Sequence, residues 1–242
     1  MPPLELTDPA SPAELLAAGE LEVLGRMQYS SNATFLARVV GDGATIPAVY
    51  KPRRGERPLW DFPTGTLCQR EVATYELAKA LGWDLIPATV LRDGPLGEGM
   101  VQRFVDHDPE EHYFTLLEKH ADRFRRFAVF DVLVNNADRK GGHCLRSRPD
   151  GAIVGIDHGL TFHPAWKLRT VIWDFAGERV DPVAAEGVCR VAQLDAGVVD
   201  ALTPLLSPLE LEAMQQRAAE LLTTGTLPEP DPGYHSVPWP LV

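Results

Sequence analysis

The sequence predicts an α+β chain, with a small strand-rich part up to about residue 100 and a mainly helical part after it. Two patterns carry this prediction. Short apolar runs bounded by Gly, Ser, Asn and Asp, which read as strands, cluster before residue 106. Apolar residues at three- and four-residue spacing, which read as helix faces, occur at 69–82 and from 195 to 222. The chain has 242 residues and is 45% hydrophobic, so it is globular and long enough to bury a sizeable core.

The elements follow in order. Residues 1 to 12 are Pro-rich and are expected to be poorly ordered before a short helix beginning near Pro12-Ala13-Glu14-Leu15-Leu16. Arg26 to Val40 reads as two strands flanking a polar Ser30-Ser31-Asn32-Ala33 turn. Gly41-Asp42-Gly43 then makes a hairpin turn into a strand ending Ala48-Val49-Tyr50-Lys51. The segment Gln69 to Leu81 has apolar residues at 72, 73, 77, 78 and 81, with Gly82 just past its end, which is a helix with its stop signal. Gly99 to Val105 is a further apolar strand running into Asp106. Arg123, Arg125 and Arg126 fall on a helix, and Gly151 to Ile156 reads as a turn and a short apolar strand.

Leu160 to Phe175 is short and aromatic, and its Trp166 and Trp173 are expected in the core. Within the helical stretch from Asp195, Ser207-Pro208-Leu209-Glu210 has the Ser cap, first-turn Pro and following acid of a helix start. The tail Pro228 to Gly233 cannot continue that helix and should be an extended strap or a disordered end. No internal repeat occurs.

Composition excludes several function classes. A formal net charge of -11 argues against a general affinity for nucleic acid or an anionic membrane surface. No apolar run is long enough to span a bilayer and no signal segment is evident, so the protein is expected to be soluble and cytoplasmic, without membrane insertion. Cys68, Cys144 and Cys189 form no closely spaced pair, which fits a reducing compartment and argues against structural zinc. A local basic patch remains in Lys51 to Arg57 and in Arg123, Arg125 and Arg126; either these charges solvate the surface, as exposed Lys and Arg commonly do, or Arg53 or Arg54 meets an anionic substrate.

The chemistry concentrates in Asn135-Asn136-Ala137-Asp138-Arg139-Lys140-Gly141-Gly142-His143, followed by Ile153-Val154-Gly155-Ile156-Asp157-His158-Gly159. The order Asp138, His143, Asp157, with Lys140 two residues after Asp138, resembles the protein-kinase-like superfamily. More particularly it resembles the atypical branch: phosphatidylinositol 3- and 4-kinases, bacterial toxin-type serine kinases, and a family of small actinobacterial proteins related to them. The likeness covers roughly residues 25 to 180. It departs at His143, where the family usually has Asn, and at His158, where protein kinases have Phe. There is no Walker-type Gly-x-x-x-x-Gly-Lys-Ser/Thr motif, which argues against a P-loop enzyme.

The resemblance implies one two-lobed kinase-like domain over residues 1–242. Its N-lobe would span about 13–100, the hinge 101–106, the C-lobe 107–225, and an extended tail 226–242. It implies ATP and a divalent metal, Mg2+ or Mn2+, as cofactors. Asp138 would orient the acceptor hydroxyl, Lys140 would meet the transferred phosphate, and His143 with Asp157 would bind the metal. Lys51 would hold nucleotide phosphates and Glu71, with Glu76 as fallback, would position Lys51. Ser30, Ser31 and Asn32 stand where a glycine-rich loop would cover the phosphates, and hydroxyl or amide donors suit that task. Backbone groups of Gln102, Arg103, Phe104 and Val105 would pair with adenine.

The activity implied is a phosphotransferase with an alcohol group as acceptor. The acceptor itself, whether small molecule, lipid or protein, is left open. No Ala-Pro-Glu anchor follows Asp157, which disfavours a peptide platform. Three alternatives stay open: a nucleotide-binding pseudokinase, a nucleotidyl transferase on the same fold, and a metal-dependent hydrolase using Asp138, His143, Asp157, His158 and His163.

Overall fold

A computed structural model describes residues 11–27, 32–41 and 43–242, and its contacts gather the chain into two units. The first comprises Met1–Cys68 and Ala88–Phe104, the second Gln69–Pro87 and Val105–Val242.

The first unit is an antiparallel sheet with one short helix. Helix α1, Pro12–Ala18, starts as its sequence dictates: the Ser11 side chain accepts the Glu14 N–H and the Glu14 carboxylate accepts the Ser11 N–H at 2.6 Å. Strands β1 (Glu20–Arg26), β2 (Phe35–Gly41), β3 (Ala44–Pro52), β4 (Thr89–Gly94) and β5 (Gly97–Arg103) lie in the order β1-β2-β3-β5-β4. Strand β1 begins upstream of the expected position, with Leu21 and Val23 alternating into the core. The β4–β5 hairpin was not foreseen; its turn uses Gly97 at φ 95°, a conformation that favours glycine. Leu16, Val39, Ala48, Tyr50 and Val101 fill the core of this unit. The central strand β3 carries Lys51, opposite Met100 of β5.

Downstream of β3 the Glu56 carboxylate accepts the N–H groups of Leu67 and Cys68, at 3.1 and 2.8 Å, satisfying donors that open helix α2 (Leu67–Ala80). The sequence places this helix in the N-terminal lobe. From Gln69 onward it belongs instead to the second unit, because Ala73, Leu77, Ala78 and Leu81 are buried in the helical core. Its end follows the glycine signal: Gly82 takes φ 68° and the Trp83 N–H returns to the Ala78 carbonyl at 2.8 Å.

The second unit is mainly helical. Helices α3 (Tyr113–Leu116), α4 (Ala121–Val134), α5 (Pro182–Ala192), α6 (Ala196–Leu202) and α7 (Pro208–Thr224) accompany a two-stranded ribbon of β6 (Cys144–Arg146) and β7 (Ile153–Gly155). Phe124, Phe127, Phe130 and Leu133 make the buried stripe of α4. The helical stretch expected from 195 to 222 is two helices, since Pro204 and Pro208 lack the N–H needed to continue the ladder. The α7 start carries the Ser207–Glu210 capping box read in the sequence.

One further expectation is corrected. Trp166 is 43% exposed, in a segment without helix or strand, whereas Trp173 is half-buried and donates its Nε1–H to the Ser236 carbonyl. The basic residues of α4 are structural: Arg123 donates to the Ile153 and Asp84 carbonyls, and Arg125 pairs with Glu178 at 2.7 Å. Arg53 pairs with Glu98 at 2.6 Å, while Arg54 is exposed.

Candidate active site

Helix α4 ends by delivering the polar loop. Asn135 takes the left-handed conformation, φ 51°, which Asn tolerates better than other non-glycine residues, and its N–H returns to the last turn. Its amide nitrogen donates to the carbonyls of His163 and Ala165, both at 2.8 Å, and its oxygen accepts the Lys167 N–H at 2.8 Å. The helix end is therefore tied to the segment that follows Asp157. Asn136 points the other way, donating to Asp131 at 3.0 Å and accepting the Asp138 N–H at 3.0 Å.

Beneath the loop lies a charge network that the sequence reading missed. Arg139 is fully buried. Its guanidinium meets the Asp131 carboxylate through Nε and Nη2, the latter 2.9 Å from Oδ1, and Nη2 lies 2.6 Å from His158 Nε2. It also lies over the Phe127 ring, 5.3 Å from the centroid. Gly155 makes the network possible, because a Cβ there would stand 2.8 Å from Phe127 and 3.1 Å from Arg139. With Arg139 pointing inward, its neighbours Asp138 and Lys140 are left to the outer side of the loop. The signal was an arginine between two predicted site residues, on a loop, eight residues after an aspartate on the preceding helix.

Asp138 and Lys140 meet at 2.8 Å, with about a quarter and a fifth of their side chains exposed. Burial pushes the Asp138 carboxyl above its ordinary range by more than Lys140 pulls it down, and the negative charge of Asp157 adds to the push. Asp157 follows β7 with φ 61°, another left-handed position held by a small polar residue. Its Oδ2 lies 3.5 Å from His143 Nε2. The Nδ1 of His143 accepts the Lys140 N–H at 3.4 Å, which leaves the proton of a neutral imidazole on Nε2, facing Asp157.

The structure thus brings Asp138, Lys140, His143 and Asp157 onto one loop system within the second unit. Glu71 joins them: it is buried on α2, and its Oε2 accepts the N–H of His158, the residue after Asp157, at 2.8 Å. Elsewhere, Asn32 Oδ1 accepts the Arg57 N–H at 2.9 Å, while Ser30 and Ser31 lie outside the described residues. Gln102 is buried and donates to Thr89 Oγ1 at 2.9 Å. The N–H groups of Arg103 and Phe104 are taken by the carbonyls of Ala88 and Pro47, both interactions being under 3.0 Å. Val105 accepts from His107 Nδ1 through its carbonyl.

The donor chemistry fits a hard divalent cation through few protein ligands. Asp157 offers a half-exposed carboxylate, and phosphate oxygens and water normally complete such a sphere. Ligation by His143 Nε2 needs the proton on Nδ1, where it would oppose the Lys140 N–H, so that contact must be given up. Among the described residues, no group of three or more His, Cys, Asp and Glu side chains is gathered for a metal. The five-ligand hydrolase reading fails on this geometry, because His158 is buried against Arg139 and His163 Nδ1 accepts the Ala165 N–H.

Comparison with known proteins places part of the chain in a described family. Residues 85–185 match the family described as phosphatidylinositol 3- and 4-kinase, a span that contains Asp138, Lys140, His143 and Asp157. Protein Rv2133c of Mycobacterium tuberculosis is 42% identical over 262 residues, covering 93% of this chain and 94% of that protein. The chain belongs to the family of Rv2133c. Two solved structures share its fold. The Helicobacter pylori proinflammatory kinase CtkA is 12% identical, with 88% of this chain and 94% of that chain covered at a TM-score of 0.53. Hydra Fam20, solved with sugar, is 12% identical, with 88% and 86% covered at 0.59. The fold of this chain, shared with these two kinase-like structures, is accordingly α+β, an antiparallel sheet plus helices. No helix among the described residues is long and apolar enough to cross a membrane.

Proposed function

We propose that this chain is a phosphotransferase that uses ATP and a divalent metal to pass the γ-phosphoryl group to a hydroxyl acceptor, its two units forming one kinase-like domain. The observation that carries the reading is the pairing of two carboxylates on neighbouring loops: Asp138, raised in pKa and held by Lys140, and Asp157, held in a left-handed turn beside His143. Phosphoryl transfer asks a protein mainly for positioning and charge neutralisation, and this set supplies both.

Asp138 orients the acceptor hydroxyl and takes its proton, a role its raised pKa favours. Lys140 turns from Asp138 to the transferred phosphate. Asp157 would hold the cation, and His143 would join it with its proton on Nδ1. Glu71 fixes the backbone at His158 and so the aim of Asp157, in addition to the proposed positioning of Lys51, which holds nucleotide phosphates. Ser30, Ser31 and Asn32 cover the phosphates. With the N–H groups of Arg103 and Phe104 taken, the hinge role rests on the other backbone groups of Gln102, Arg103, Phe104 and Val105. A metal held there would supply charge neutralisation for the phosphates.

A second reading, a pseudokinase that binds nucleotide without turnover, is favoured by His143, whose Nε2 proton faces Asp157 in this arrangement. Calorimetric titration with ATP in Mg2+ or Mn2+, followed by tracing label from the α- and γ-phosphates, separates the readings. Phosphotransfer requires metal-dependent binding and movement of the γ label. Movement of the α label makes the protein a nucleotidyl transferase, and binding with neither label moving makes it a pseudokinase. Absence of heat with both metals overturns every kinase-like activity. In the same assay Asp138→Asn keeps ATP binding and loses transfer, whereas Lys51→Ala weakens binding.

A further inference from the structure

Helix α7 buries Glu210, Ala213, Met214, Arg217, Ala218 and Leu221, the three- and four-residue spacing of a core face, so Arg217 stands where an apolar residue is expected. Its surroundings differ from those of the other buried arginines. Among the described residues three arginines are buried, Arg70, Arg139 and Arg217, and the first two have carboxylate partners, Glu210 and Asp131. Arg217 has none. Its Nε and Nη2 donate to the Leu133 carbonyl at 3.2 and 3.0 Å and its Nη1 to the His163 carbonyl at 3.4 Å, which uses three of the five N–H groups of a guanidinium. Burial alone lowers its pKa to about 10. These contacts cap the end of α4, yet they leave a buried positive charge without an anion.

That charge lines a cavity of about 650 Å³ within the second unit. Leu221 and Leu227 supply apolar wall, the half-exposed Trp166 an aromatic one, and the exposed Glu220 and Glu229 line it as well. Neither glutamate forms an ion pair among the described residues. A space of this size with apolar walls and few polar groups is what small organic ligands occupy. Two N–H groups left on a guanidinium match a carboxylate. The two glutamates oppose a second negative charge and attract an amine.

We propose that this cavity is a binding site for a small organic acid with an apolar body, one carboxylate directed at Arg217, and preferably an amine that meets Glu220 or Glu229. The proposal is independent of the phosphotransfer reading, since none of these residues belongs to the loop system around Asp138.

The test is calorimetric titration of the full chain with benzoate, 4-(aminomethyl)benzoate, benzylamine, benzyl alcohol and phenyl phosphate, repeated in Trp166→Ala, Arg217→Met and Glu220→Gln/Glu229→Gln variants. The two benzoates should bind more tightly than the amine, the alcohol and the phosphate by about tenfold, the aminomethyl compound foremost. Trp166→Ala, which removes a half-exposed side chain, should weaken the benzoates by a similar factor, as should Arg217→Met. The double glutamate variant should erase the advantage of the amine. Equal binding of benzoate and benzyl alcohol, unchanged binding in Trp166→Ala, or no heat from any of the five overturns the proposal.

Discussion

Arg139 and Arg217 are both buried arginines of the helical unit, and they stand in opposite electrostatic situations. Arg139 lies under the polar loop with Asp131 on two of its nitrogens and His158 on one, a charge already answered by the protein. Arg217 lies at the edge of a cavity with only carbonyl oxygens as partners. The first arrangement fixes a backbone, turning Asp138 and Lys140 outward and bringing His158 under the loop. The second leaves attraction unspent. A buried charge that is paired speaks of architecture, and one that is unpaired beside a cavity speaks of a ligand.

The contrast breaks most readily at Asp131. Asp131→Ala leaves Arg139 buried without its carboxylate, and urea denaturation should show a loss of about 3–5 kcal/mol. A loss under about 1 kcal/mol would mean that Arg139 reaches water and that the network is not what holds the loop.

Arg217→Met should cost far less, about 1 kcal/mol, because the hydrogen bonds lost to the Leu133 and His163 carbonyls are offset by removing a desolvated charge, and no charged partner is stranded. A cost as large as that of Asp131→Ala would place Arg217 with the structural arginines and remove the distinction.

On the outer side of the loop, His143→Asn replaces an imidazole nitrogen with an amide oxygen, which hard magnesium accepts more readily than softer metals do. Nucleotide binding should therefore shift from manganese toward magnesium, read by titrating ATP against each metal. An unchanged preference confines His143 to its contacts with Asp157 and Lys140.

The smallest effect is a dependence on pH. The folded pKa of Asp138 is raised, so the native state binds its proton more tightly than the unfolded chain does, and ionisation works against the fold. The stability of the wild type relative to Asp138→Asn should fall as pH rises from about the ordinary 3.8 through the raised value, and stay level above it. A wild type that gains on the variant over that interval would show that Lys140 outweighs burial.

The sequence by itself determined what depends on neighbours a few residues apart. The caps of α1 and α7, the glycine stop of α2 and the alternation of β2 and β3 are set by hydrogen bonds and side-chain periods within one or two turns. The order of Asp138, Lys140, His143 and Asp157 was legible too, as a linear motif. Tertiary structure alone decided the partners. Arg139 meets a carboxylate eight residues away and a histidine nineteen away, Glu71 meets a backbone N–H eighty-seven residues away, and α2 joins the helical unit through apolar contacts rather than through its place in the chain. Arg217 shows the limit most plainly. An arginine on an apolar stripe is visible in the sequence, but whether its charge is answered depends on which groups the fold brings within about 4 Å, and that distance is not encoded in spacing.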